Sequence, residues 1–294
     1  MKIAFVGLPI AALLLAADGH DVVWAGVCRK EAPGTRRLAK RLGKGRVRVV
    51  PDLARATTLD EIREAAPELV VSWFWTKKIP RAFRAIAPLG AVGVHPSLLP
   101  RHRGPDPFFW AIDGGDTVTG VTAHVVEDEY DTGAILARRE LAIDPSWNAW
   151  TLAKKLDRPS LAVLREVVRA HASGSPPRPE PQDEAAATEA PAPNDDDLEI
   201  RWSWDAERIE RRVRAASPWP GAFTELFDTP LVLTRVRATD DHPRALEPGE
   251  ACVRADGVAV VRAGRGAVEM IAGRLEDDAE TELDAGDLAA LVAS

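Results

Sequence analysis

Two short segments of this chain carry the side chains best suited to chemistry. The first, Gly93-Val-His-Pro-Ser-Leu-Leu-Pro-Arg-His-Arg-Gly104, follows an apolar run and places His95 directly before a proline. The second runs from Gly120 to Gly133 and reaches Asp131 after an acidic stretch. Ligands of open α/β sheets bind at the carboxyl ends of strands, so we expect both side chains at one site. An aspartate beside a histidine orients the imidazole and favours its charged form, although either residue taken alone is more typical of a turn or a buried polar contact.

Strands and helices alternate around these two segments. The predicted strands are Lys2–Val6, Asp21–Val27, Glu68–Phe74, Gly90–Val94 and Gly120–Val126. The predicted helices are Ala11–Asp18, Leu59–Ala66 and Trp150–His171. This alternation predicts an α/β fold, with a mostly parallel, twisted sheet that is covered by helices on both faces.

The chain changes character after residue 173. Residues 174–198 are rich in Pro, Ala and acidic side chains, so they predict a loose linker that lacks the apolar groups needed to offset its ordering entropy. Residues 199–294 form the second predicted domain, a small OB-like β-barrel, and residues 1–173 form the first. The predicted elements of the second domain are a helix at Ala206–Ala215 and strands at Leu231–Val236, Ala251–Arg254, Gly257–Arg262 and Ala267–Ala272.

Composition excludes several classes of protein. The chain has 294 residues and two distant cysteines, Cys28 and Cys252, which is incompatible with a disulfide scaffold or a cysteine-rich zinc site. No spacing of side chains is typical of zinc ligands, so we expect no metal. No apolar run approaches the roughly 20 residues of a membrane span, and we identify no signal peptide. We therefore expect a cytoplasmic protein with no membrane partner.

Charge is distributed unevenly along the chain. The net charge is −7 overall, but +6 for residues 1–170, −7 for 171–199 and −6 for 200–294. An acidic C-terminal third is unfavourable for contact with a phosphate backbone. Arg29–Arg48 contains nine basic residues and one acid, so this segment is either an anion-binding arm or a solvated surface.

The motifs around His95 and Asp131 together resemble one family. His-Pro-Ser-Leu-Leu-Pro followed by Arg-Gly, then Thr-Gly-Val-Thr, then Asp-Thr-Gly, is similar to the folate-dependent formyltransferases, which include methionyl-tRNA formyltransferase and the sugar N-formyltransferases. Ser217–Thr224 resembles the start of the C-terminal domain of methionyl-tRNA formyltransferases, and Val258–Leu291 resembles its end. The resemblance implies a Rossmann-like fold and transfer of a formyl group from the co-substrate 10-formyltetrahydrofolate to a primary amine, without a metal.

The resemblance also implies a catalytic set with one departure. The family uses an Asn, a His and an Asp; His95 and Asp131 match the last two, whereas Gly93 occupies the place of the Asn. Losing one donor to a developing oxyanion typically costs about 10²–10³ in rate. Either another donor such as charged His95 replaces the amide, or the enzyme is slow, or the chain is a non-catalytic folate-binding paralogue. We expect His124 to point away from His95.

The folate site implied by the family pattern lies beside the same strand ends. Ser97 and Leu98 are expected to shape the loop over the formyl group. The remaining expected folate-binding residues, several of them through backbone groups, are Trp75, Lys78, Ile79, Val125, Val126, Glu127, Asp128 and Glu129.

The acceptor amine is the least determined part of the function. The acidic C-terminal third and the aromatic segment Ser72–Trp75, which resembles a segment of some sugar formyltransferases, favour a small molecule such as a sugar nucleotide or an amino-acid-derived metabolite. The basic segment Arg29–Arg48 favours the alternative, a methionyl-tRNA acceptor.

Overall fold

The structure of the chain is a computed structural model that describes residues 1–278 and 280–293. It divides into two units built from interleaved segments. The first unit comprises Met1–Pro105, Thr119–Leu141 and Lys155–Glu189, and the second comprises Asp106–Val118, Ala142–Lys154 and the chain from Ala190 onward. The division into domains at 173 and 198 stays a prediction. Among the described residues, no helix combines the length and the apolar character needed to cross a bilayer.

The described residues contain the following elements. The strands are β1 (Lys2–Gly7), β2 (Asp21–Val27), β3 (Val47–Val49), β4 (Leu69–Trp73), β5 (Ala91–His95), β6 (Val118–Val125), β7 (Ile135–Ala142), β8 (Ala222–Leu226), β9 (Thr229–Thr239), β10 (Ala251–Val253), β11 (Ala259–Arg262) and β12 (Ala267–Leu275). The helices are α1 (Pro9–Ala17), α2 (Thr35–Leu42), α3 (Ala56–Ala65), α4 (Arg81–Arg84), α5 (Pro107–Asp113), α6 (Ala149–Ala172), α7 (Asp195–Leu198), α8 (Ala206–Ala216) and α9 (Ala285–Ala293).

The first unit is built on a seven-stranded sheet in the order β3-β2-β1-β4-β5-β6-β7. The pairs from β3 to β5 are parallel. In β1 every residue from Ile3 to Gly7 is buried, because both faces of a parallel sheet are covered by helices. The predicted α/β fold with a mostly parallel sheet is therefore confirmed.

Strand β6 runs antiparallel to β5, so His95 and Asp131 come together in a different way from the one predicted. His95 pairs with Thr122 and Gly93 with His124, so the carboxyl end of β6 lies beside the start of β5. The expectation that His95 and Asp131 follow neighbouring strand ends at one edge of the sheet is wrong. The loop after β6 has to return toward the end of β5 to bring Asp131 there.

The segment that follows α6 is attached to the first unit over part of its length. Glu180 exchanges two backbone hydrogen bonds with Ile135, at 2.7 and 2.9 Å, and Thr188 pairs with the loop after β5. The expectation of a loose linker from residue 174 onward is therefore wrong for residues 180–188. The prediction considered only apolar burial, whereas this stretch is held by polar contacts.

The second unit contains a five-stranded antiparallel sheet in the order β10-β11-β12-β9-β8. Helix α8 packs on this sheet and on α5. Within this unit, Arg212 of α8 and Asp113 of α5 form a buried ion pair at 2.7 Å. The predicted small, β-rich C-terminal domain is confirmed.

Candidate active site

His95 ends β5 with a buried imidazole whose hydrogen-bonding roles are determined by its neighbours. Its Nε2 atom lies 2.7 Å from the carbonyl oxygen of His102, and Nδ1 lies 3.4 Å from Asp131 Oδ2. A carbonyl oxygen only accepts, so Nε2 carries a hydrogen and donates it. The other ring nitrogen, Nδ1, faces the Asp131 carboxylate.

Asp131 sits in a tight turn that points its carboxylate back at the sheet. Its φ angle is +57°, in the left-handed region that Asp tolerates better than most residues. Oδ2 accepts a hydrogen bond of 3.1 Å from the Gly104 amide. Two residues on, a Cβ at Gly133 would lie 1.9 Å from the Val125 carbonyl oxygen, so only glycine fits there. The geometry of the turn thus requires glycine at position 133 and favours a residue that tolerates a positive φ at position 131.

His124 is a third titratable group at this site, and the sequence prediction about its direction is wrong. Its Nε2 atom faces Asp131 Oδ1 at 3.5 Å, and its Nδ1 lies 2.8 Å from the Val125 carbonyl oxygen and so donates to it. Burial lowers the pKa of His124, and the charge of Asp131 offsets part of that effect. The neutral imidazole therefore presents a lone pair on Nε2 beside the carboxylate, where it is able to accept a proton.

Gly93 lies opposite His124 in the β5–β6 pairing. A Cβ built at Gly93 would lie 3.6 Å from His124 Nε2 and 3.1 Å from Val126 Cγ2. The backbone there does not require glycine, and the tight contact is with one methyl group. A side chain at position 93 would therefore point at His124 beside Asp131, which makes this position a possible source of a polar donor.

Three of the predicted folate-binding residues lie together. Trp75 and Val126 pack against one core cluster that contains Ile79. The indole Nε1 of Trp75 is buried and has no acceptor among the atoms of residues 1–278 and 280–293. Lys78, which is exposed, pairs with Glu129 at 2.8 Å. A buried indole donor without a partner is a feature expected of a site that binds a polar ring.

Arg84 joins the two predicted folate-binding segments, and sequence reasoning missed it. Its side chain, 12% exposed, donates to the carbonyls of Ile79 at 2.9 Å and Val126 at 2.8 Å, and it pairs with Asp128. A planar guanidinium suits this arrangement because its donors diverge in a fixed fork. No motif indicated Arg84, since its partners are mostly backbone carbonyls that leave no trace in the sequence.

Other predicted residues already have partners within the chain. The Ser97 hydroxyl donates to the Arg101 carbonyl at 2.7 Å and closes the turn after His95, while Leu98 lies against Gly120. The amides of Val125 and Val126 donate to Ala134 and Ala91. Further backbone donors to a ligand would therefore come from Glu127, Asp128 and Glu129, which are all exposed.

Comparisons with known sequences assign both halves of the chain to one family. The formyl transferase profile matches residues 27–168, and the profile of the formyl transferase C-terminal domain matches residues 194–289. The methionyl-tRNA formyltransferase of Roseiflexus castenholzii is 35% identical over 279 residues, which cover 88% of this chain and 87% of the relative. That of Chloroflexus aurantiacus is 34% identical and covers 92% and 91%.

Solved structures share the fold at lower identity. The N-formyltransferase from Helicobacter canadensis, in complex with folinic acid and dTDP-3-aminofucose, superposes with a TM-score of 0.68 at 13% identity, over 92% of this chain and 98% of that one. HypX from Aquifex aeolicus, in complex with tetrahydrofolic acid, has a TM-score of 0.66 at 20% identity over 98% of this chain. This chain spans 46% of the length of HypX.

The fold and these relatives define the class of the protein as a one-carbon transferase. The chain belongs to the formyl transferase family, and it is a formyltransferase. The resemblance seen in the motifs around His95 and Asp131 is thereby confirmed.

The lowered pKa of His124 predicts how stability depends on pH. The unfolded chain protonates this imidazole at its ordinary pKa of about 6.5, whereas the folded protein resists protonation. The unfolded state therefore binds more protons below that pH, and stability is lost as the pH falls. In His124→Gln, we expect the free energy of unfolding, measured in urea, to fall less between pH 7.5 and 5.5 than in the parent protein. The difference cannot exceed about 1.4 kcal/mol per pH unit, the limit for one proton.

The matched control is His242→Gln, at a half-buried histidine in a loop of the second unit. It tests whether the loss of a histidine elsewhere in the chain changes the slope of stability against pH in the same way. Equal slopes for the parent protein and His124→Gln would contradict the assignment of a neutral, buried His124.

Proposed function

We propose that the chain transfers a formyl group from 10-formyltetrahydrofolate to a primary amine, and that His95, Asp131 and His124 carry the reaction. The observation that carries this proposal is the Asp131 carboxylate, which faces His95 Nδ1 at 3.4 Å and His124 Nε2 at 3.5 Å. Each imidazole donates its other hydrogen to a backbone carbonyl. Both atoms that face the carboxylate are consequently free to exchange protons.

Formyl transfer needs one proton to move twice. The acceptor amine attacks the formyl carbon, a C–N bond forms, and the electron pair of the C=O bond moves onto oxygen. The amine then loses a proton, which neutral His124 is placed to accept directly or through water. The electron pair on oxygen then re-forms the C=O bond, the bond to the folate nitrogen breaks, and that nitrogen receives one proton from the His124–Asp131 pair. The site ends in the protonation state in which it began.

His95 supplies positive charge next to the reacting carbonyl in this proposal. The 3.4 Å separation from Asp131 exceeds the 2.7–2.9 Å of a tight charge-assisted hydrogen bond. The Nδ1 hydrogen of charged His95 is therefore available to a formyl oxygen that enters beside the carboxylate. A fixed donor of this kind stabilises the tetrahedral oxyanion more than the planar substrate.

The described residues fit a reduced folate as donor substrate. The unpartnered Trp75 indole and the apolar side chains of Ile79 and Val126 suit the face and edge of a pterin ring. The HypX and Helicobacter structures were obtained with tetrahydrofolic acid and folinic acid, which supports the same donor class for this chain. Arg84 holds the two segments at a constant separation in this proposal.

For the acceptor, we propose the amino group of an aminoacylated tRNA. The curated relatives with 33–36% identity over at least 81% of this chain are named methionyl-tRNA formyltransferase, which outweighs the preference for a small molecule obtained from the sequence. Helix α2 presents Arg36, Arg37 and Lys40 to solvent, with only Leu38 buried. In the part of the chain that the structure describes, none of these three cations forms an ion pair, so all are available to phosphate groups.

A small-molecule amine is the second candidate. The observation in its favour is the net charge of −6 on residues 200–294, which repels a polyanion. The alternatives separate by salt dependence, since only a nucleic-acid acceptor releases several counterions on binding.

The activity is tested with Asp131→Asn. We expect the parent protein to formylate methionyl-tRNA with 10-formyltetrahydrofolate, and the variant to lose about 10²–10⁴ in kcat, because general acid–base catalysis typically contributes that much. The measurement is single-turnover formylation, followed by chromatography of the released aminoacyl group. Asp60→Asn, at an exposed i,i+3 pair with Arg63, is the matched control and should keep full activity. Full activity of Asp131→Asn would refute the catalytic assignment.

Gly93→Asn tests whether the site lacks one oxyanion donor. The Cβ is accommodated if Val126 yields by a few tenths of an ångström, and the amide then lies beside His124. We expect kcat to rise about tenfold or more, a part of the 10²–10³ that one such donor typically contributes. Gly93→Ala, which fills the space without a donor, should give no gain. A fall in kcat for Asn would instead show that His124 or the substrate already uses this space.

The tRNA acceptor is tested with the double variant Arg36→Gln/Lys40→Gln, on one face of α2. We expect weaker binding of methionyl-tRNA and a slope of log Kd against log salt that is smaller by about two, since each phosphate contact contributes roughly 0.9. The matched control is Arg81→Gln/Arg158→Gln, which removes two other exposed cations from the same unit. An unchanged slope for the α2 variant, with retained formylation of small amines, would favour the small-molecule acceptor.

A further inference from the structure

The segment 180–188 lies directly against the loop that follows His95. Thr188 accepts a hydrogen bond from the His102 amide at its hydroxyl, at 2.9 Å, and from the Arg103 amide at its carbonyl, at 2.8 Å. Its own amide donates to the Pro100 carbonyl at 3.2 Å. These bonds order a stretch whose composition is typical of a linker, and they order it at the candidate active site.

Gln182 connects this segment to the turn that carries Asp131. Its amide nitrogen donates to two carbonyls, those of Asp131 at 2.7 Å and Gly133 at 2.8 Å. Its amide oxygen accepts from Arg103 at 2.8 and 3.1 Å. The Gln182 side chain therefore uses both amide hydrogens on the Asp131 turn and its oxygen on the loop that follows His95.

Arg103 lies in the loop that follows His95 and donates to the Gln182 side chain. Its side chain is 6% exposed and also forms a bidentate pair with Glu184 at 2.8 and 2.9 Å. The residues on either side of it contact the catalytic pair: the His102 carbonyl accepts from His95, and the Gly104 amide donates to Asp131. Displacing Arg103 would move both of these contacts.

We propose that Gln182 and Arg103 are positioning residues. They hold the Asp131 carboxylate at the correct distance and orientation to the His95 imidazole for formyl transfer. The proposal rests on the function proposed above. It assigns a role in catalysis to a segment that lies outside the motifs of the family resemblance.

The physical reason lies in the backbone of the turn. Asp131 and His102 have φ angles of +57° and +58°, which side chains rarely adopt and which persist only where the surroundings over-determine them. The Gln182 amide pulls the carbonyls of Asp131 and Gly133 toward one nitrogen, and so supplies that constraint at Asp131. A misplacement of about 1 Å at a catalytic group is enough to cost roughly 10²-fold in rate.

The first test compares Gln182→Ala with Glu180→Gln. Glu180 lies in the same segment, is exposed, and bonds Ile135 only through its backbone, so it is the matched control. For Gln182→Ala we expect kcat to fall about 10- to 100-fold while KM for the folate donor stays within threefold. The isosteric Gln182→Glu, which keeps the acceptor for Arg103 but loses the donor, should fall similarly. An unchanged kcat, or a change in KM alone, would overturn the proposal.

A double-variant cycle separates positioning from a general loss of structure. If Gln182 acts through the Asp131 carboxylate, Gln182→Ala should change the residual kcat of Asp131→Asn less than twofold. A structural role unrelated to the carboxylate would instead lower the rate by the same factor in both backgrounds. Thermal unfolding of each variant verifies that the fold is retained.

A spectroscopic measurement tests the inference independently of turnover. The ¹⁵N resonances of the His95 imidazole report which ring nitrogen carries hydrogen, and we expect them to shift in Gln182→Ala and Arg103→Lys but not in Glu180→Gln. An inactive parent protein with these shifts would refute the proposed function and retain the positioning role. An active parent protein whose His95 resonances are unaffected would refute the positioning role alone.

Discussion

The contact of one carboxylate with two imidazoles is the interaction on which the rest of the site depends. Asp131 lies 3.4 Å from His95 and 3.5 Å from His124, and all three side chains are largely removed from water. Burying an ionised carboxylate is unfavourable unless charge and hydrogen bonds compensate it. Here the Gly104 amide donates a hydrogen bond to the carboxylate, and His95 faces it through Nδ1. In the proposed mechanism, this arrangement accepts a proton from the attacking amine and returns it to the folate nitrogen.

Bringing Asp131 next to His95 and His124 requires a backbone conformation that side chains rarely adopt. Because β6 is antiparallel to β5, it ends beside the start of β5, whereas His95 lies at the other end of β5. The chain therefore returns toward His95 through an acidic loop and turns sharply at Asp131. The close approach of Gly133 to Val125 and the left-handed conformation of Asp131 are consequences of that return path. Arg84 fixes one side of the loop and Gln182 the other, in both cases through backbone carbonyls. The loop is therefore held on both sides by side chains that have no reacting role in the proposed mechanism.

Gly93 stands where the resemblance to the formyltransferases implies an Asn. The place of the family's amide is beside His124, and His124 is the group whose neutral form is stabilised by burial. In the proposed mechanism, a site without the amide relies on His95 as the donor to the oxyanion and has more room near His124. In the proposed mechanism, oxyanion stabilisation depends on the accuracy with which His95 and Asp131 are held, and this is the role proposed for Arg103 and Gln182.

Much of this could be predicted from the sequence, and the limits have physical causes. Apolar runs such as Lys2–Val6 and Asp21–Val27 determined strands, because a sheet covered on both faces admits few alternatives. The motifs around His95 and Asp131 determined the family, and with it the class of reaction. The tertiary structure alone decided that β6 runs antiparallel, that His124 faces Asp131, and that residues 180–188 are ordered. Each of these depends on contacts between residues distant in sequence, made largely through backbone carbonyls and amides. Every residue carries the same backbone groups, so their pairing leaves no signature in residue type.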